Sequence, residues 1–330
     1  MDQYKFDKDF AVGADISWYP QMLESGFVFR NKNGREQDLL LTLKDYGMDT
    51  IRLRTWVNPT EHPHSGHCCA RETLDFALRC KEAGFRIMLN FHYSDSWADP
   101  KQQRIPSAWE KLDFDSLVQQ LYDYTYDTVK LFKESGLELE WVQIGNETRP
   151  GMLLPHGSTK NFGKLTQFYN AGHDAVKAAS LNSKTMIHLD EFNNTDFIID
   201  YFEKLDKHDC RYDMMAFSFY PYHLPQLSYE TCMQGFLRSM TEIPGWFGKD
   251  FMIVETGGVD GQEEETGSCA VSTFKLLTDV IEQTRRMSKC KGILLWEPQG
   301  ARSWSGYPLS AWRADGCPSK ALDALCQIKK

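Results

Sequence analysis

The chain has 330 residues, 42% of them hydrophobic, enough to bury a large core in one α/β barrel. A formal net charge of −9 and a pI of about 5.5 argue against a nucleic-acid partner, which needs a basic face. No apolar run is long enough for a transmembrane helix, so no membrane partner is expected, and Met1-Asp2-Gln3-Tyr4-Lys5-Phe6-Asp7 has no signal-peptide core; a cytoplasmic location is expected, or a secreted one if a leader has been trimmed.

Short apolar runs alternate with longer amphipathic stretches. A first strand is expected over residues 12–16. It leads into Ser17-Trp18-Tyr19-Pro20 and not into the glycine-rich phosphate turn of a doubly wound sheet. A helix over 38–46 precedes a strand over 50–56, a helix over 71–83 a strand over 86–91, and a helix over 115–135 a strand over 140–144. The pattern continues with helix 164–180 and strand 185–189, then helix 197–205 and strand 214–219. Helix 229–241 and strand 251–254 follow, then helix 270–289 and strand 292–296, and a helix over 319–328 ends the chain. Gly47, Gly84 and Gly136 each fall where a helix end needs a left-handed cap. Eight strands, each with a helix after it, predict a single (β/α)8 TIM barrel forming one catalytic domain over residues 1–330. The longest connections, 57–70, 94–114, 146–163 and 256–269, all follow strand C-termini, where barrel sites are built.

Two glutamates sit at strand exits. Glu147 ends Trp141-Val142-Gln143-Ile144-Gly145-Asn146-Glu147, and Glu255 ends Phe251-Met252-Ile253-Val254-Glu255. Glycoside hydrolysis needs such a pair, about 5–5.5 Å apart if one carboxylate attacks directly. Asn146 offers an amide donor to a sugar hydroxyl, although asparagine is also an ordinary turn residue. Arg52 and Arg54 share parity on the second strand, so both face the barrel interior and each needs a buried anion; Glu255 is the expected partner. The third strand ends in a dense cluster containing His92, Asp95, Trp97 and Asp99, suited to binding polyols. Tyr220 is placed to orient a carboxylate, and Trp296 to floor a sugar subsite; taken alone, each is more often core packing than function.

Two clusters resemble metal sites only loosely. His62, His64, His67, Cys68 and Cys69 match no structural zinc spacing, and Asp260, Glu263, Glu264 and Glu265 lack the ligand order of a calcium loop. No metal or other cofactor is expected, with calcium as the alternative. The 9 cysteines have no framework spacing and read as reduced thiols.

Taken together, these motifs resemble the endo-β-1,4-galactanases of glycoside hydrolase family 53. The resemblance runs nearly end to end. It is carried by Gly13-Ala14-Asp15-Ile16-Ser17, Ile51-Arg52-Leu53-Arg54-Thr55-Trp56-Val57-Asn58-Pro59, Phe91-His92-Tyr93-Ser94-Asp95, Trp97-Ala98-Asp99-Pro100, Gly145-Asn146-Glu147, Val254-Glu255-Thr256 and Trp296-Glu297-Pro298. It implies a retaining barrel enzyme that cuts β-1,4-galactosidic bonds in galactan, type I arabinogalactan or galacto-oligosaccharides. Glu147 is then the acid/base and Glu255 the nucleophile. Asn146, Arg52, Arg54, His92, Asp95, Trp97, Asp99, Asp190, Tyr220 and Trp296 are then the groups around the sugar. Another short β-linked oligosaccharide as substrate, or a catalytically silent sugar-binding barrel, are the alternatives. Departures from the family pattern fall at Gly258, at His223 and in the residues after Asp190, where sugar subsites are expected.

Overall fold

Strands that are apolar on both faces must be covered on both sides. A parallel barrel does this with helices outside and stacked side chains within. The computed structural model describes residues 10–59, 68–259 and 272–327. Its main strands are β1 (Ala11–Asp15), β2 (Thr50–Thr55), β3 (Arg86–Phe91), β4 (Trp141–Ile144), β5 (Lys184–Leu189), β6 (Met214–Phe219), β7 (Asp250–Thr256) and β8 (Cys290–Trp296). All eight are parallel and pair in sequence order, with β8 returning to β1 to close the barrel. Closure rules out the open doubly wound sheet.

The outer helices are α1 (Leu39–Asp45), α2 (Ala70–Glu82), α3 (Phe114–Glu134), α4 (Phe162–Ala179), α5 (Thr195–Asp206), α6 (Tyr229–Trp246) and α7 (Thr273–Thr284). Side chains of Asp38, Asp113, Asn161, Asn194, Ser228 and Ser272 accept backbone N–H groups at six helix starts. Each such cap is worth about 1 kcal/mol. Helix α6 runs past its expected end at 241, through Pro244. Pro244 cannot donate to the Met240 carbonyl one turn back, and buried Ile243 and Pro244 anchor that turn. The expected C-terminal α-helix is a 3₁₀ stretch, Lys320–Gln327. No helix among the described residues is long and apolar enough to cross a membrane.

The barrel interior is layered. Met88, Trp141, Met186, Met214, Ala216, Met252, Val254 and Leu294 form one buried apolar cluster, separate from the larger cluster between strands and helices. Two residues further along the same faces, the side chains become polar or amphipathic: Asn90, Gln143, His188, Ser218 and Trp296. Arg52 and Arg54 are 0% and 1% exposed, so whatever faces them must supply their charge partners.

Strand β7 breaks this alternation. Phe217 pairs with Ile253, but Ser218 pairs with Glu255, so Val254 is an extra residue in the ladder. Val254 belongs to the interior cluster, and strict alternation would turn the next side chain outward. The bulge instead brings Glu255 inward, against Arg52.

Candidate active site

The chain leaves β4 by a strained path. Gly145 has φ +87 and Glu147 has φ +47. A Cβ at Gly145 would lie 2.7 Å from Thr148 Cγ2, so glycine is required there. A left-handed glutamate costs of order 1–3 kcal/mol and persists only where neighbours fix it. They do so here. The Glu147 N–H donates to His188 Nδ1 at 3.3 Å, and the Thr148 N–H to the His188 carbonyl at 2.9 Å. The Tyr201 hydroxyl donates to the Thr148 carbonyl at 2.9 Å, and Gln103 Nε2 to the Asn146 carbonyl at 2.8 Å. At the carboxyl end, Ser218 Oγ donates to Glu147 Oε1 at 2.6 Å.

Glu255 lies among donors. Arg52 Nη2 is 2.8 Å from its Oε1, and the Tyr220 hydroxyl is 3.3 Å from its Oε2. Both partners were legible in the sequence. The Arg52 guanidinium makes three further bonds: Nη1 donates to Asp15 Oδ2 at 2.8 Å, Nε to Gln143 Oε1 at 2.6 Å, and Nη2 also to Asn146 Oδ1 at 2.9 Å. Asn90 Nδ2 donates to the same Asn146 oxygen at 2.9 Å. Asn146 Nδ2 donates to the Ala98 carbonyl at 2.8 Å. These bonds fix the amide orientation.

Arg54 does not pair with Glu255. It meets Glu297, with Asp15 3.7 Å away, and its guanidinium lies 4.4 Å from the Trp97 ring centroid. Glu297, at φ +44, also accepts from the Trp18 N–H and from Gln299 Nε2. Burial pushes the Glu297 carboxyl up to about 8, against the pull of the Arg54 charge and of the Arg54 and Gln299 hydrogen bonds. Asp15 and Glu297 have no role in the sequence reading, although Glu297 carries the same signal as the other two glutamates, a carboxylate at a strand exit. Arg54→Ala leaves Glu297 uncompensated and is expected to cost about 3–5 kcal/mol, the range for breaking a buried ion pair. Urea unfolding followed by circular dichroism tests this; a midpoint equal to wild type would show that the pair carries no such strength.

The cluster after β3 divides. Trp97 is partly exposed and meets Trp18, Trp56 and Trp296 edge-on, with centroids 6.1, 5.2 and 5.8 Å away. Trp296 in turn meets Tyr307 at 4.8 Å, so an aromatic wall lines this side of the mouth. His92 is buried and its Nδ1 accepts from the Ala98 N–H at 3.0 Å. Asp95 and Asp99 are occupied by loop groups. Asp95 takes the Asn58 N–H and the Ser107 N–H and hydroxyl; Asp99 takes the backbone N–H groups of Lys101 and Gln102 and the Gln102 side chain. Asp190 is 3.0 Å from Arg149 Nε.

Electrostatics separate the two catalytic candidates. Burial, then the charges of Glu255 and Asp190, push the Glu147 carboxyl well above the ordinary glutamate range. Burial also raises Glu255, but Arg52 and the Tyr220 hydroxyl pull it back. Glu147 is therefore the group that keeps its proton longer. Burial and the two arginines push His92 well down, so that imidazole is neutral. The described residues hold no cluster of three or more metal-ligating side chains. His62, His64, His67 and the acidic run 260–265 lie outside the described residues.

With this geometry in place, the relatives become informative. The family profile described as glycosyl hydrolase family 53 matches residues 11–325. Arabinogalactan endo-β-1,4-galactanase A of Emericella nidulans is 33% identical over 250 residues, 74% of this chain and 69% of that protein. Endo-β-1,4-galactanase of Bacillus subtilis is 30% identical over 315 residues, 88% of this chain and 70% of that protein. The solved family 53 catalytic domain of Ignisphaera aggregans superposes with a TM-score of 0.87 at 28% identity, covering 97% of this chain and 96% of that one. The chain is a glycoside hydrolase and belongs to glycosyl hydrolase family 53.

Proposed function

We propose that this protein hydrolyses β-1,4-galactosidic bonds of galactan, type I arabinogalactan or their oligosaccharides, with retention of configuration. The observation that carries the mechanism is the asymmetry of the glutamate pair: Glu255 is charge-paired to Arg52, whereas Glu147 is raised by burial and by its acidic neighbours. The substrate comes from the names of the family 53 relatives.

In this reading Glu147 protonates the departing glycosidic oxygen while Glu255 attacks the anomeric carbon from the opposite face. Bond formation removes the Glu255 charge, and with it one of the causes that raise Glu147. Glu147 then ionises more readily and serves as base toward the water that releases the sugar. Asn146 donates to the neighbouring sugar hydroxyl, a bond that strengthens as oxocarbenium character develops. Trp97 and Trp296 present apolar rings to the sugar faces. No step draws on a metal or cofactor.

Reducing-end release from linear β-1,4-galactan is the direct test. Proton NMR of the first product is expected to show the β-anomer, with α appearing only by mutarotation. An α-anomer formed first would exclude double displacement. Intact galactan alongside cleavage of another β-glycan would move the substrate assignment, and binding without cleavage of any glycan would make the barrel a lectin-like binder.

A further inference from the structure

Behind Glu147 lies a hydrogen-bonded chain that the hydrolytic mechanism above does not use. His188 Nε2 is 2.9 Å from Ser218 Oγ, which is 2.6 Å from Glu147 Oε1. His188 and Ser218 are 0% and 1% exposed. The other ring nitrogen, Nδ1, lies 3.2 Å from Asn146 Oδ1 and 3.3 Å from the Glu147 N–H. The Asn146 oxygen is fixed as an acceptor because Arg52, which can only donate, bonds to it. So His188 Nδ1 has an acceptor on one side and a donor on the other.

We propose that Ser218 and His188 are positioning residues that hold Glu147 in both of its protonation states, by reversing the direction of this chain. With Glu147 protonated, its O–H donates to Ser218 Oγ, the serine hydroxyl donates to His188 Nε2, and Nδ1–H donates to Asn146 Oδ1. With Glu147 ionised, Ser218 donates to the carboxylate, Nε2–H donates to Ser218, and Nδ1 accepts the Glu147 N–H. Each state is then satisfied along the Glu147–Ser218–His188 links, and at Nδ1 each engages one of its two neighbours, the Asn146 oxygen in the first and the Glu147 N–H in the second. A ring locked in one tautomer would leave a buried lone pair against a lone pair in the other state.

The proton account closes. Glu147 gives its proton to the glycosidic oxygen and regains one from the attacking water. The imidazole loses a proton at one nitrogen and gains one at the other by exchange with water, so its charge does not change. Burial and then Arg52 from β2 disfavour the imidazolium, which keeps the ring neutral throughout. The charged groups facing Glu147 itself are Glu255 from β7, Asp190 at the end of β5 and Arg52.

The proposal rests on Glu147 being the acid/base, and its test separates the two. Nitrogen-15 NMR of histidine-labelled protein, with His188 assigned by comparison with His188→Gln, reads the tautomer without substrate. Wild type is expected to shift from the Nδ1–H to the Nε2–H tautomer as pH rises through the Glu147 ionisation. Glu147→Gln, which cannot ionise, is expected to hold Nδ1–H at every pH. One tautomer throughout in wild type, or the same shift in Glu147→Gln, overturns the reversal. In kinetics, Ser218→Ala is expected to lower kcat about tenfold or more with KM little changed. Because the serine bond lowers the Glu147 pKa, its loss is expected to move the alkaline limb to higher pH, and Ser218→Thr to move it back. An alkaline limb unmoved in Ser218→Ala also overturns the proposal. Galactan hydrolysis unaffected by Glu147→Gln would overturn the acid/base assignment instead, whatever the tautomers do.

Discussion

Glu255→Ala is expected to lower galactan hydrolysis by on the order of 10⁴-fold or more, as loss of an attacking group does in other covalent mechanisms. The fold should survive, since Arg52 keeps its 2.8 Å bond to Asp15 and no buried cation is stranded. Circular dichroism and a thermal scan check that point. Azide is the informative addition. In this variant it occupies the space of the missing carboxylate and attacks an activated aryl β-galactoside from the nucleophile's face. The product expected is the α-galactosyl azide, the configuration of the lost covalent intermediate. Absence of rescue by any small anion, with binding intact, would argue against direct attack by residue 255.

Glu147→Ala is the second large effect, and its signature differs. A sugar alkoxide leaves poorly without a proton, so galactan cleavage is expected to fall by about 10²–10⁴-fold, the usual worth of a general acid. An aryl galactoside with an acidic leaving group does not need that proton, and its first step should be nearly unaffected. Azide then intercepts the glycosyl enzyme from the opposite face and gives the β-galactosyl azide. Interchange of the two azide products between the variants would reverse the assignment of roles. The pH profile follows from the same assignment. Glu255 must be ionised, so activity falls as pH drops through its pKa. Glu147 must be protonated, so activity falls as pH rises through its pKa, which lies well above the ordinary glutamate value. The alkaline limb should be absent from the profile of Glu147→Ala on the aryl substrate.

Much of this site is legible in the sequence. The strands announced themselves as apolar runs, and the shared parity of Arg52 and Arg54 placed both guanidinium groups indoors. The pairing was only half legible, because parity gives a side and not a neighbour. Arg54 finds Glu297, 243 residues away, across the closure of the barrel, a contact that strand periodicity cannot encode. Asp95 and Asp99 stand out in the sequence as polar groups after the third strand, but that they brace the loop N–H groups of Asn58, Ser107, Lys101 and Gln102 is not written there. His188 and Ser218 are single polar residues at the inward positions of apolar strands. That pattern was available, but nothing in the sequence says that the two lie 2.9 Å apart.

The extra residue in β7 also bears on how such a barrel could be copied. A designer who regularised every strand would recover the closure, the apolar floor and the outer helices, and would restore the alternation of β7 as well. The glutamate after Val254 would then point at the helix layer and away from Arg52, and the blueprint would yield an inert protein, burdened with a misplaced carboxylate. A catalogue of secondary structure would score that copy as the more ideal of the two. The information that makes this barrel a catalyst is held in one irregularity of its ladder, so transplanting the chemistry means transplanting the defect with it.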